Sequence, residues 1–89
     1  MVTIKRIMLD VLKPHQPGSL EFSQAIAKAG EDYRVCLTVI EMDENTETLQ
    51  LEVEGSSIDF EAIESAITSM GGSLHSIDQV EVQNIPDDG

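Results

Sequence analysis

Through Ile4–Leu12 the apolar residues run on both sides of an extended chain, with Ile7, Leu9 and Val11 on one and Met8, Asp10 and Leu12 on the other. That pattern predicts a central strand covered on both faces, with Asp10 as the exception. Pro14, Pro17 and Gly18 then end the strand and turn the chain. Phe22, Ala25, Ile26 and Ala29 follow at helical spacing, with Ser19 placed to cap the helix and Gly30 to stop it. From Tyr33 to Met42 the period returns to two, and the β-branched content supports a strand. Residues 43–46 are polar turn material. Beyond them Leu49, Leu51 and Val53 alternate with Gln50, Glu52 and Glu54, which predicts a hairpin.

A second helix begins after Gly55-Ser56-Ser57. Asp59 as N-cap puts Ile58 and Ile63 at the spacing of a hydrophobic staple, and Phe60, Ile63, Ile67 and Met70 form the buried stripe. Gly71-Gly72 ends it. In the last strand, Ser73–Val82, Ile77 cannot share a face with Val80 and Val82 unless an extra residue intervenes, so a bulge is expected near Asp78. The order β-α-β-β-α-β, with right-handed crossovers, predicts an α+β ferredoxin-like sandwich: a four-stranded antiparallel sheet with two helices on one face. Residues 1–84 form one domain and residues 85–89 a flexible tail. This topology gathers Asp10, His15, Glu41, Asp43, Thr48 and His75 at one edge of the sheet.

Composition narrows the function. With 89 residues, the chain buries roughly 60% of its unfolded surface. Seventeen acids against five bases give a net charge of −12, which repels phosphate backbones. One Tyr, two Phe and no Trp leave no platform for stacking bases. Nucleic acid is therefore an unsuited partner. No apolar run reaches membrane-spanning length and no leader pattern precedes the first strand, so no membrane partner is expected and the expected location is cytoplasmic. A lone Cys36 permits neither an internal disulfide nor a paired-thiol metal site and reads as a small packing residue.

The end motifs resemble those of small archaeal proteins grouped as domain of unknown function 211. The similarity rests on Leu-Asp-Val-Leu-Lys-Pro-His at Leu9–His15 and on Gly71, Gly72, His75, Ser76, Asp78 and Val80. Glu41 and Asp43, then Thr46 and Glu47, carry it through the hairpin. The resemblance implies a ferredoxin-like fold and homo-oligomeric assembly, with no assigned activity. The chain departs from the family pattern at Cys36 and Thr48, where asparagine is usual, and at Glu31-Asp32-Tyr33-Arg34, where a Gly-Val-x-Gly lead-in is usual.

Three chemistries compete for the gathered residues. Asp10, Glu41 and Asp43, joined by His75, offer hard donors for a divalent cation, calcium or magnesium rather than zinc. The alternative is a surface of solvated carboxylates and a structural hydrogen bond between Asp10 and His75. A small enzyme could use Asp10 and His75 as an acid–base pair, since the two fall opposite each other to within one residue. Ser76 cannot serve His75 as a nucleophile, because adjacent strand residues point to opposite faces. An acylphosphatase-like site lacks its basic loop, with Lys13 and His15 but no arginine near Gly18. The expected function is a small acidic, non-enzymatic binding or regulatory module. It acts as a homo-oligomer, through an apolar open sheet face of Met8, Leu12, Ile40, Met42 and Ile77 or through a strand edge. A purely structural oligomer with no ligand is the remaining alternative.

Overall fold

The alternating segments become four strands of one sheet and the helical segments two helices above it. The computed structural model describes residues 1–87. Its elements are β1 (Val2–Pro14), α1 (Ser19–Ala27), β2 (Arg34–Met42), β3 (Thr46–Glu54), α2 (Phe60–Ser69) and β4 (Ser73–Asn84). The strand order is β2-β3-β1-β4, every neighbouring pair is antiparallel, and the fold is the ferredoxin-like α+β arrangement.

Burial follows the period-two pattern. Ile7, Leu9 and Val11 of β1 and Leu49, Leu51 and Val53 of β3 face the helices, where Phe22, Ile26, Ile63 and Ile67 close the core. Each of these side chains contributes roughly 1.5–3 kcal/mol by leaving water. The other face of β1 is not covered by a second layer. Met8, Asp10 and Leu12 are half-buried there because strands flank them on both sides.

The helix ends are set by local chemistry. Asp59 accepts the Ala62 N–H at 3.2 Å, as an N-cap should, and Ile58 and Ile63 are both in the core. Gly71 has φ +84°, which lets its N–H reach the Thr68 carbonyl at 3.0 Å while the Gly72 N–H reaches that of Ile67 at 2.9 Å. That pair of bonds is a Schellman stop. At α1 the cap is Gly18, and Ser19 is already helical with no side-chain capping bond. The helix ends at Ala27, so its terminus falls before Gly30.

Directly opposed residues share a face, so the registers resolve the sheet into rows. On the helix side run Val35–Val53–Ile7–Val80, Leu37–Leu51–Leu9–Ile77 and Val39–Leu49–Val11–Leu74. On the open side run Arg34–Glu54–Arg6–Glu81, Cys36–Glu52–Met8–Gln79 and Thr38–Gln50–Asp10–Ser76. The pairing of β1 with β4 skips Asp78, the expected bulge, and also skips Lys5 and His75. The bulges keep Leu74, Ile77 and Val80 on one face despite their three-residue spacing. The open face is therefore mostly polar. Ile77 and Met42 belong to the helix side, opposite Leu9 and Glu47, and Ile40 falls at a register shift. At the chain ends, the Ile85 N–H donates to the Met1 carbonyl at 2.7 Å, and residues 88–89 of the expected tail lie outside the described residues.

Candidate functional site

The edge where the sequence gathers its polar residues is organised by three side chains, Lys13, His15 and Glu47. Lys13 is in phase with Ile7, Leu9 and Val11, so its side chain enters the core and none of it is exposed. An ammonium there is costly unless it is paired. Nζ donates to the carbonyls of Pro14 at 3.0 Å and Pro17 at 2.8 Å, and it lies 5.9 Å from the centroid of the Phe22 ring. Its counter-charge is Glu47, opposite it on β3, with Oε1 3.1 Å away. That contact is coulombic, because Oε1 receives no hydrogen bond of proper geometry.

Glu47 Oε2 meets His15 Nδ1 at 2.9 Å, while His15 Nε2 lies 2.9 Å from the carbonyls of both Asp43 and Glu44. Both ring nitrogens face acceptors, and an imidazole donates from both only as the cation. The Glu47 carboxylate first, and then the Glu44 carbonyl, raise the His15 pKa above its ordinary 6.5. The same bond from His15 holds Glu47 below its ordinary value, against the opposing effect of burial. The result ties the loop after β1 to the tip of the β2–β3 hairpin. The signal for it was present in the sequence: Glu47 is two residues from Leu49 and Lys13 two from Val11, so alternation puts both indoors.

The four residues proposed for a cation do not converge, and only Asp43, through its backbone carbonyl, touches this network. Asp10 is opposite Gln50 and Ser76, Glu41 is opposite Thr48, and Asp43 sits in the hairpin turn with its N–H on the Thr46 carbonyl. Asp10 and Glu41 are on strands separated by β3, roughly 10 Å apart across the sheet at about 4.8 Å per strand. Among the described residues, no three His, Cys, Asp or Glu side chains group so as to hold a metal ion. His75 is the extra residue of a bulge and exposed, and it makes no hydrogen bond to Asp10. Ser76 takes the place opposite Asp10, and its hydroxyl donates a hydrogen bond to Asp78 Oδ1 at 2.7 Å. Cys36 is exposed on the open face rather than packed.

At the other end of the sheet a groove of about 500 Å³ is lined by Lys5, Arg6, Arg34, Asp32, Glu54 and Glu81, among others. It holds three of the five basic residues of the chain, a concentration the sequence pattern did not reveal. Most of that charge is spent internally. Arg6 pairs with Glu52 and, at 3.3 Å, with Glu54, and Lys5 donates to the Ser56 carbonyl at 2.7 Å. Asp32 receives the Ser56 N–H, and hydrogen bonds from Ser56 hold its carboxyl below the usual range. No ion pair engages Arg34 among the described residues, and this groove is a neutralised patch rather than an anion cradle.

Fold and edge together define a small ferredoxin-like α+β protein whose Lys-Pro-His strand exit is anchored on a glutamate of the hairpin. No helix is long and apolar enough to cross a membrane among the described residues. The chain belongs to the DUF211 family, described as uncharacterized ArCR, whose profile matches residues 5–85. An uncharacterized protein of Methanocaldococcus jannaschii is 40% identical over 77 residues, which cover 86% of this chain and 79% of the relative.

Proposed function

We propose that the chain is a non-enzymatic binding or regulatory module that works as a homo-oligomer assembled through its sheet edges. The observation that carries this reading is the outer flank of β4. Ile77, Val80 and Val82 are 51–55% exposed on the helix side of a 12-residue edge strand. A long, unpaired edge with an apolar flank is a template for another strand. A divalent cation, calcium or magnesium, enters as a ligand of the assembled form. His75 is on the β4 edge strand and Glu41 and Asp43 are at the end of β2, so edge pairing brings donors of two copies toward one another, with Asp10 one strand further in. The enzyme alternative has less support, since Asp10 and His75 do not pair. The alternative of a structural oligomer with no ligand rests on the same flank and differs in its response to calcium.

Sedimentation at low micromolar concentration tests the assembly. A species larger than 9.7 kDa is expected, and more of it at high salt, where the charge of −12 per copy is screened. A 9.7 kDa species at every salt concentration removes the proposal. Calcium should raise the Tm with the logarithm of its concentration, and Asp10→Asn should abolish that rise. An equal shift with monovalent salt at matched ionic strength leaves the structural oligomer alone. Turnover in a hydrolase and lyase screen that is lost in His75→Ala replaces the module with the enzyme.

A further inference from the structure

The two free edges of the sheet are complementary to each other. Because β2 and β4 run in opposite directions, a second copy in the same orientation lays its β2 antiparallel to β4. Both helix layers then fall on one side. The open-face row Arg34–Glu54–Arg6–Glu81 alternates in sign across all four strands, ending in a cation on β2 and an anion on β4. Setting Glu81 beside Arg34 of a second copy continues that alternation. In the same register Val80 meets Val35, Ile77 meets Leu37 and Leu74 meets Val39, all on the helix side of their strands.

We infer that copies of this chain associate head to tail, the β4 edge of one pairing with the β2 edge of the next in the register Glu81–Arg34, Val80–Val35. This inference rests on the homo-oligomer reading and specifies its contact. The bulges are part of the argument. Asp78 as an extra residue brings Ile77 into phase with Val80, although both stay half-exposed within one chain. That phase gains burial once a second strand lies alongside. Pairing two β4 edges instead would set Asp78 and Glu81 against strands that carry no lysine or arginine, and would leave both β2 edges open. Like charges opposed across strands are destabilising. A head-to-tail contact uses a different surface on each partner, so it repeats, closing into a ring or continuing as a filament.

Engineered disulfides test the register, in a Cys36→Ser background that removes the exposed native thiol. Opposed antiparallel residues have Cα atoms about 4.5–5.5 Å apart, within disulfide range. The double variant Val35→Cys/Val80→Cys should give, on oxidation, a ladder of covalent multimers that collapses on reduction. Each single variant alone should cross-link at least tenfold less, and mixing the two singles should restore a covalent dimer. Val80→Cys cross-linking to itself as well as the double variant does would overturn the register while leaving the homo-oligomer intact. So would the absence of a ladder from a double variant that sediments as an oligomer. A chain that sediments as a monomer overturns both readings.

Discussion

The two sides of β1 are finished to different degrees. Against β3 the register runs from Arg6–Glu54 to Pro14–Thr46 without a shift, and every apolar pair on the helix side is fully buried. Against β4 it shifts three times, and the apolar residues facing Ile7 and Leu9 stay half in water. One strand thus borders a region complete within a single chain and another whose side chains are aligned but not covered. Regular register accompanies burial because each slip there would expose a row of leucines and valines. The bulged side keeps its apolar residues aligned but leaves them half-exposed.

The difference can be broken from the finished side first. Leu51→Ala removes a fully buried side chain between Leu9 and Leu37 and should cost about 2–5 kcal/mol in chemical unfolding. Val80→Ala, in the neighbouring row, should cost less than about 1 kcal/mol under monomeric conditions, since Val80 is 55% exposed. Equal losses at the two positions would abolish the contrast. Next in size is Lys13→Met, which leaves Glu47 in its buried place without the ammonium and should cost about 3 kcal/mol. A melting profile unchanged by that substitution would mean the pair contributes nothing net.

The smallest effect sharpens the picture through pH. The folded His15 binds its proton more tightly than its ordinary 6.5, so its stabilisation is complete below 6.5 and fades as pH rises through the higher folded value. Glu47, depressed from 4.5, contributes fully above 4.5 and loses that contribution as pH falls through its lower folded value. The network is therefore fully engaged between 4.5 and 6.5. The Tm of wild type should drop toward that of His15→Gln as pH rises from 6 to 9; parallel curves would show that His15 is not held charged.

Much of this was legible in the sequence. The alternation of Leu49, Leu51 and Val53, the cap at Asp59 and the stop at Gly71 encode local geometry in local residues, and the clash of phase between Ile77 and Val80 announced the Asp78 bulge. Local pattern and structure part where a face depends on a distant partner. The pattern within each strand places Met42 and Ile77 on the open face, but pairing with Glu47 and Leu9 puts them on the other. The second bulge, at His75, moves that side chain one place away from Asp10, and no spacing within β4 reveals it. Cys36 reads as a packing residue because its strand is apolar, yet its row lies on the uncovered side. Glu47 extends the alternation of Leu49, Leu51 and Val53 by one more step, and its burial follows from that local pattern.

Beyond Arg6 the hairpin no longer accompanies β1, and Val2, Thr3 and Ile4 pair with β4 alone, across from Asn84, Gln83 and Val82. A two-stranded ribbon is marginal by itself in water. It can fray while the rest of the sheet stays closed, so in deuterated solvent its amides should keep a different clock from those of the core. Exchange should begin near Asn84 and slow at Ile4 and Lys5, whose carbonyls accept the N–H groups of Ile58 and Gly55. The amides of Leu9 and Leu51 would wait for the whole molecule to open.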